Sequence, residues 1–255
     1  MALAALTACG SDKSGGVTQP PPPVDPCTVR TPYTFGTTAS GSFTTSDCPS
    51  FDKSFIDSYT TSIDAAGAYL LTETSSAVDT YLFLDAGDGS LIAENDDASD
   101  LDSNSSIKAL IPAGTYVIAA NTFDTGATGD YQLSSSATTE SIENCETVFI
   151  ARGMTTSQNL QPTDCSNNGF YSDDVLIFVR AGQSVTVTVN STAFDAYVEI
   201  YSRAGLVADN DDKSATSTDA EVTFTATTTD YYLISPTSKL SGAPGTTGAY
   251  TMIVR

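Results

Sequence analysis

Leu91-Ile-Ala-Glu-Asn-Asp-Asp97 and Leu206-Val-Ala-Asp-Asn-Asp-Asp212 are two versions of one stretch, identical at five of seven positions. Each follows a strand-like run, Asp79-Thr-Tyr-Leu-Phe-Leu84 in the first case and Asp195-Ala-Tyr-Val-Glu-Ile200 in the second. Residue 206 lies 115 positions after residue 91. That period is too long for a solenoid repeat and typical of a whole domain. The sequence therefore predicts one module that occurs twice.

Short strand-like runs separated by turn residues fill both copies. Ser184-Val-Thr-Val-Thr-Val189 alternates polar and apolar residues, which is the pattern of a strand with one buried face. An apolar run at 175–180 precedes it across an Ala-Gly turn, and the runs 54–62 and 69–74 mirror this strand–turn–strand pattern in the first copy. Many short strands with turn signals between them indicate an all-β sandwich.

The repeat divides the 255-residue chain into three parts. We predict a leader and tether over 1–26, a first β-sandwich over 27–136 and a second over 145–255. The tether contains Pro20-Pro-Pro-Pro23, a semi-rigid extended spacer. The polar residues 137–144 are expected to act as a short hinge.

Acidic residues dominate the charge of the chain. It has 31 Asp plus Glu against 10 Lys plus Arg, a net charge of −21, and no histidine. This balance argues against nucleic acid or an anionic membrane surface as a partner. The missing histidine removes the usual general base, the usual triad member and the commonest transition-metal ligand. We therefore expect no enzymatic activity.

The first residues resemble the end of a bacterial lipoprotein signal. Leu6-Thr-Ala-Cys9 matches the lipobox, and the resemblance implies cleavage before Cys9 and lipidation of its thiol. Only eight residues precede Cys9, fewer than a basic n-region and an apolar h-region need, so we expect the natural start to lie further upstream. An apolar start that is no signal is the alternative. We predict export and lipid anchoring to the bacterial cell envelope, at the outer membrane or cell surface, with the anchor as the only membrane contact.

The cysteines also indicate that the protein is exported. With Cys9 assigned to the lipid, four of the five remain, and they form two pairs at equivalent places in the two repeats. We predict the disulfides Cys27–Cys48 and Cys145–Cys165, each contributing on the order of 3 kcal/mol in the chain-entropy model. Such bridges require an oxidising compartment. A zinc site is the competing interpretation, but close Cys spacing and histidine are both absent.

Four sequence elements recur in the same order in both repeats. In the first repeat they are an Asp-x-Tyr strand at 79–84, Gly-x-Leu-x-Ala-x-Asn-Asp-Asp at 89–97, Gly-Thr-Tyr at 114–116 and Gly-x-Tyr at 129–131. The second repeat departs only at Thr229-Asp-Tyr231. The series resembles the bacterial pre-peptidase C-terminal domain over most of both repeats. The resemblance implies a jelly-roll-like β-sandwich without catalytic activity, usually appended to secreted hydrolases or surface proteins.

Carboxylate and amide side chains crowd the stretch around the repeated motif. Calcium takes about 6–8 oxygen ligands, so these side chains form a candidate calcium site. The candidate ligands are Asp79, Asn95, Asp96, Asp97, Asp100 and Asp102 in the first repeat and Asp195, Asn210, Asp211 and Asp212 in the second. The spacing does not match an EF-hand. A turn in which Asn and Asp bond their own backbone is the competing interpretation, and the loss of two of the acids in the second copy favours it.

Two further patterns in the sequence are an Asp-Thr-Gly string and a set of repeated tyrosines. Phe123-Asp-Thr-Gly-Ala127 spells the active-site string of aspartic proteases, but that chemistry needs a second aspartate, which the second repeat lacks. Tyrosines recur in the pairs Tyr81/Tyr197, Tyr116/Tyr231 and Tyr131/Tyr250. We expect these paired tyrosines to be core residues with hydrogen-bonded hydroxyls. The unpaired Tyr33, Tyr171 and Tyr232 are freer to contact a ligand.

Together these features predict a non-catalytic cell-surface lipoprotein. Its two modules would bind or adhere to a surface polysaccharide or protein, with calcium as a possible stabiliser and no certain cofactor. The alternative is a structural or accessory component of an envelope or secretion complex with no soluble ligand. A glycosidase is a third candidate, because two carboxylates suffice for that chemistry, although the repeated acids occur in turn-type contexts.

Overall fold

The computed structural model of the chain describes residues 25–239 and 244–255. Cys9 and the proline run, predicted to be the lipidation site and the spacer, lie outside the described residues. In the described part, no helix is long and apolar enough to cross a membrane. The first repeat consists of β1 (Thr31–Pro32), β2 (Thr38–Phe43), β3 (Cys48–Pro49), β4 (Phe55–Ile63), β5 (Gly67–Thr74), β6 (Thr80–Ala86), β7 (Leu91–Asn95), β8 (Ser105–Ile111), β9 (Gly114–Thr122) and β10 (Gly129–Thr138).

The second repeat follows the same plan. Its strands are β11 (Val148–Ile150), β12 (Thr155–Leu160), β13 (Cys165–Asn167), β14 (Phe170–Ser172), β15 (Val175–Val179), β16 (Ser184–Ser191), β17 (Ala196–Ser202), β18 (Gly205–Asn210), β19 (Ala220–Thr225), β20 (Asp230–Ser238) and β21 (Gly248–Val254). The fold class predicted from the sequence, two tandem all-β sandwiches, is confirmed.

Two packed sheets form each sandwich. In the first repeat β1-β4-β9-β6-β7 faces β8-β5-β10-β2, and in the second β11-β15-β20-β17-β18 faces β12-β21-β16-β19. The alternation in β16 works as predicted, because Val185, Val187 and Val189 are fully buried between the sheets. One disulfide closes the start of each repeat, Cys27–Cys48 in the first and Cys145–Cys165 in the second. These are the pairs expected from the sequence.

A continuous sheet joins the two repeats. Strand β11 pairs in parallel with β8 on one side and with β15 on the other, so Phe149 lies opposite Ala109 and Leu176. The cores are shared across this joint, since Phe149 packs in the first core and Leu110 in the second. Of the residues expected to form a hinge, Ile142 is 3% exposed and belongs to the second core. The repeats are therefore linked through paired strands and buried side chains.

Strand register corrects one equivalence drawn from the sequence. Leu84 lies opposite Ile118 in the first repeat, and its counterpart Ile200 lies opposite Ile234 in the second. The residue that corresponds to Tyr116 is therefore Tyr232, not Tyr231. A shift of one residue along a strand moves a side chain to the other face of the sheet. Tyr232, expected to be free for a ligand, is 1% exposed, and its hydroxyl donates to a backbone carbonyl as that of Tyr116 does.

Candidate ligand-binding groove and acidic sandwich ends

A groove of about 730 Å³ lies on the outer face of the second repeat. Its floor is formed where β14, β20 and β17 run side by side. The disulfide Cys145–Cys165 and the β13–β14 hairpin form one wall. That hairpin turns through Asn168 and Gly169, both at positive φ (52° and 85°), as a two-residue type I′ turn requires. A disulfide and paired strands thus frame the groove.

Strand β17 supplies the groove with its aromatic and acidic side chains. Ala196, Val198 and Ile200 are fully buried in the core. Because side chains alternate across a strand, the residues between and after them point outward, and Glu199 and Tyr201 line the groove. Burial, and then a hydrogen bond to Glu199, raise the pKa of Tyr201 to about 12. The Tyr201 hydroxyl therefore remains a neutral donor beside the carboxylate.

Residues from other strands complete the groove. Asp174 lies between β14 and β15, and its carboxylate accepts a hydrogen bond of 2.6 Å from the hydroxyl of Ser235 on β20. Phe170 and Leu233 add apolar surface. The groove therefore combines aromatic and aliphatic faces with two carboxylates whose orientation neighbouring hydroxyls help to hold. Apart from the disulfide cysteines Cys145 and Cys165, none of its residues was predicted as a site residue from the sequence.

Aromatic side chains also lie on the outer face of the first repeat. The rings of Tyr81 and Phe83 have centroids 4.4 Å apart, and Phe123 lies 6.1 Å from Tyr81. The expectation that Tyr81 and Tyr197 belong to the core is wrong. The inner face of β6 belongs to Leu82 and Leu84, which are 0% and 1% exposed, so the alternating tyrosine must point away from the core.

The predicted calcium ligands of the first repeat lie at one end of its sandwich. Two of them, Asp96 and Asp102, bond to backbone within two residues, as the turn interpretation expects, whereas Asn95 bonds to the amide of Ser106 on β8. The side-chain oxygens of Asn95, Asp96 and Asp102 accept from backbone amides at 2.8, 3.0 and 3.1 Å respectively. Asp97 and Asp100 are exposed.

Asp79 is the unsatisfied member of this set. Its Oδ1 is buried and has no hydrogen-bond partner. Burial, followed by the charges of Asp97, Asp124 and Asp96, raises the pKa of Asp79. Among the described residues, no ion pair involves any of these carboxylates. This end of the first sandwich therefore concentrates negative charge.

The second repeat places a lysine at the equivalent end. Lys239 Nζ lies 2.8 Å from Asp211 Oδ2 and 3.6 Å from Asp195 Oδ2. The backbone amide of Lys239 donates to the carbonyl of Asp195, as Phe123 does to that of Asp79. Lys239 thus corresponds to Phe123, and the second copy neutralises acids that the first copy leaves without a cation. A hydrogen bond to Lys239 is the main cause that lowers the pKa of Asp211.

The acidic ends of both sandwiches offer carboxylate and amide oxygens, which are the ligands that calcium takes. In the part of the chain that the structure describes, no three His, Cys, Asp or Glu side chains are grouped closely enough to hold a metal ion. Of the second-repeat candidates, Asn210 has a buried Oδ1 without a partner, and Asp212 forms no ion pair with any of the described residues. The side chains therefore do not form a closed metal cage, and calcium binding stays a prediction.

Each repeat contains one buried contact between a tyrosine hydroxyl and an aspartate carboxylate. These contacts were not predicted from the sequence. Tyr131 donates to Asp57 at 2.7 Å, and Tyr250 donates to Asp173 at 2.7 Å. Burial raises the pKa of Asp173 well above the usual range, and its neighbour Asp164 adds a like charge that favours a shared proton. The available signal was an aspartate shortly after the second cysteine of each repeat, Asp57 after Cys48 and Asp173 after Cys165.

Glu73 lies in the first sandwich with no exposed surface. Neither carboxyl oxygen has a hydrogen-bond partner. Burial raises the pKa of Glu73 to about 9, with the Asp57 charge also raising it and the Asn121 backbone lowering it. Glu73 is therefore a neutral acid at physiological pH.

The string that resembles an aspartic-protease site lies in an exposed turn. Asp124 is exposed, and Gly126 has a φ of 69° and donates to the carbonyl of Lys53. Residues 240–243, where the second repeat would need its own aspartate, lie outside the described residues. The local geometry is that of a turn that connects β9 to β10 in the opposite sheet.

Comparisons with known proteins return structural similarities only. No protein-family profile and no curated protein matches the chain. The pre-peptidase C-terminal domain of a collagenase from Bacillus anthracis is 16% identical, covering 42% of this chain and 95% of that chain, with a TM-score of 0.34. The CUB1-EGF-CUB2 domains of rat MASP-1 are 10% identical, covering 88% and 100%, with a TM-score of 0.23.

The N-terminal CBM22-1-CBM22-2 tandem domain of Xyn10C from Paenibacillus barcinonensis is also similar. It is 10% identical, with 77% of this chain and 82% of that chain covered and a TM-score of 0.24. Scores and identities this low carry no conclusion about function.

Proposed function

We propose that the chain is a non-catalytic, exported binding protein whose second repeat holds a polymer, either a surface polysaccharide or a protein, in the groove described above. The observation that carries the proposal is the groove itself. Tyr201 and Phe170 present aromatic surface beside the carboxylates of Glu199 and Asp174, on a floor of paired strands. Concave sites with mostly apolar walls and a few placed polar groups are typical of ligand binding.

The proposal also includes the type of domain and the cellular location of the protein. The four recurring sequence elements support two tandem pre-peptidase C-terminal-like modules, and the lipobox supports anchoring through Cys9 to the bacterial envelope. The two disulfides support an oxidising compartment outside the cytosol. Metabolic labelling with a radioactive fatty acid tests the anchor. Label in the natural chain and none in Cys9→Ser is expected, and equal labelling of both would contradict it.

The binding proposal is tested by retention on polymers. The full chain carrying Cys9→Ser is mixed with insoluble polysaccharides and with immobilised surface proteins, and the bound fraction is measured. Tyr201→Ala should lose retention because the aromatic wall of the groove is removed. Phe51→Ala is the matched control, since this side chain is fully exposed outside the groove. Equal loss in both variants would contradict the groove as the site.

Two other functions have distinct signatures in the same preparation. Co-purification with envelope proteins, without retention on any polymer, would favour the structural or accessory role. Two carboxylates in one groove are also the minimum for glycoside hydrolysis. Turnover of a chromogenic glycoside panel that Glu199→Gln abolishes would replace binding with catalysis.

Calcium remains a proposed stabiliser, and the first repeat is where charge supports it. Asp79, Asp96 and Asp97 lack the ammonium that Lys239 supplies in the second repeat. Titration calorimetry and thermal melts with calcium or chelator test this role. Heat of binding that disappears in Asp79→Asn is expected. If calcium produces no heat and no change in melting temperature, calcium binding is contradicted.

A further inference from the structure

We infer that the groove of the second repeat binds an uncharged glycan at one site per chain, an inference that rests on the proposed binding function and names its ligand class. Charge is the first reason. The described residues that line the groove include the carboxylates of Asp174 and Glu199 and no lysine or arginine. Two like charges at close range in a partly desolvated groove repel an anionic polymer. Uronic-acid polymers, sulfated glycans and nucleic acids are therefore disfavoured.

The donor and acceptor set is the second reason. A sugar hydroxyl donates one hydrogen bond and accepts others, so a glycan site needs both kinds of partner. The groove supplies acceptors in Glu199 and Asp174, and donors in the side-chain amides of Asn167 and Asn168. A lysine or arginine ligand only donates, so it could bond to the amide oxygens but would leave the amide N–H groups without a partner. The balanced set fits hydroxyl groups better than a cation.

Aromatic surface is the third reason. Phe170 lies on the β13–β14 hairpin and Tyr201 on β17, with Leu233 from β20 also lining the groove. Aromatic rings pair an apolar face with fixed geometry, which suits the C–H face of a pyranose ring. Because the wall that carries Phe170 is closed by a disulfide, little side-chain and loop entropy is lost on binding.

The first repeat provides an internal comparison that limits the site to one. Equivalent register positions on β6 place Phe83 where the second repeat has Glu199, and Asp85 where it has Tyr201. Ala119 stands where Ser235 supports the carboxylate of Asp174. Both repeats share the fold, but only the second has this combination of carboxylate, aromatic and hydroxyl side chains at these positions. The duplication therefore does not imply two equal binding sites.

Affinity electrophoresis of the full chain carrying Cys9→Ser tests the inference. The gels contain uncharged glycans (hydroxyethyl cellulose, galactomannan or neutral xylan), alginate as the anionic polymer, or polylysine as the cationic polymer. We expect retardation by at least one uncharged glycan, unchanged by added salt, and none by alginate. Glu199→Gln and Tyr201→Ala should weaken that retardation roughly tenfold or more, as expected for loss of a charged hydrogen bond or an aromatic contact.

Matched variants separate loss of the site from loss of the fold. Tyr81→Ala removes the outward aromatic of the first repeat at the position of Tyr197 and should leave glycan binding unchanged. Tyr201→Phe keeps the ring and should retain more binding than Tyr201→Ala. Melting temperatures of all variants are measured alongside, so that an unfolded variant is not read as a lost contact. Glycan binding that is unchanged in both Glu199→Gln and Tyr201→Ala would overturn the inference.

The outcomes also separate this inference from the broader function. Salt-sensitive binding of polylysine, or retention on an immobilised protein, that Tyr201→Ala abolishes would keep the groove as a binding site and reject the glycan. Calorimetry with a soluble oligosaccharide of the retained glycan should give one site per chain, and two equal sites would reject the comparison of the repeats. Retention by no polymer of any class would reject both the glycan and the binding function.

Discussion

Replacing Glu73 with glutamine should stabilise the protein at neutral and alkaline pH, by an amount that grows with pH. The side chain is fully buried, and burial raises its pKa to about 9 from the ordinary value of 4.5. Below about pH 4 the carboxyl is neutral in both the folded and the unfolded chain, so its ionisation costs nothing there. Between the two pKa values the unfolded chain is ionised while the folded chain holds the proton.

Folding in that window must take up one proton, and stability falls by about 1.4 kcal/mol for each pH unit. At pH 7 the loss is about 3 kcal/mol as an upper value, and it levels off once the pH exceeds the folded pKa. Glutamine copies the neutral acid in shape and polarity but has no proton to take up. The difference between Glu73→Gln and the natural chain should therefore be close to zero near pH 4 and largest near pH 9.

The assay is urea unfolding, followed by circular dichroism, at a series of pH values for both chains. Asp100→Asn is the control, because it removes a carboxylate that is exposed and not buried. A difference that does not depend on pH would refute the reasoning. A variant that becomes less stable as pH rises would show that Glu73 is ionised in the folded protein and has a counter-charge.

The remaining predictions concern a buried tyrosine–aspartate contact, the ion pair of Lys239, its counterpart Phe123 and the disulfide of the second repeat. Tyr250→Phe removes the hydroxyl that donates to a buried aspartate, so we expect a loss of about 1–3 kcal/mol in thermal or urea unfolding; no loss would mean that the carboxyl is satisfied otherwise. Lys239→Met removes a half-exposed ion pair and should lower the melting temperature slightly at low salt and less at high salt; an equal effect at both salt concentrations would contradict an ionic contribution. Phe123→Lys should instead stabilise the first repeat by supplying the missing ammonium, and a lower melting temperature at low salt would contradict the equivalence of the two positions. Serine at Cys145 and Cys165 should cost about 3 kcal/mol and weaken binding in the adjacent groove; unchanged binding would show that the disulfide does not shape it.

Much of the fold was predictable because its signals are local. Strict alternation in Ser184-Val-Thr-Val-Thr-Val189 identifies a half-buried strand, since the period of two belongs to the pleat itself. Equivalent spacing of Cys27 and Cys48 with Cys145 and Cys165 led to the correct disulfides. Strands β2 and β12 were missed. Both are rich in small polar residues and expose every second side chain, so their hydrophobic pattern is weak.

The candidate site was far less predictable, because it depends on neighbours that are distant in the chain. The groove forms only when β14 and β17 both pair with β20, and no sequence pattern states which strands become neighbours. The prediction instead favoured the crowded acids near Asn95 and Asn210. Crowding along the chain is visible in a sequence, whereas half of the ten candidate side chains turn out to bond to backbone or to a lysine.

The sequence by itself determined the duplication, the all-β class and the two disulfides, since each of these is recorded in a period, an alternation or a spacing. Only the tertiary structure decided that Tyr116 corresponds to Tyr232, that Lys239 neutralises the acids of one repeat, and that Glu73 is buried without a partner. The physical reason is register. One residue of shift exchanges the buried and exposed faces of a strand, and register is set by packing between segments that the sequence keeps far apart.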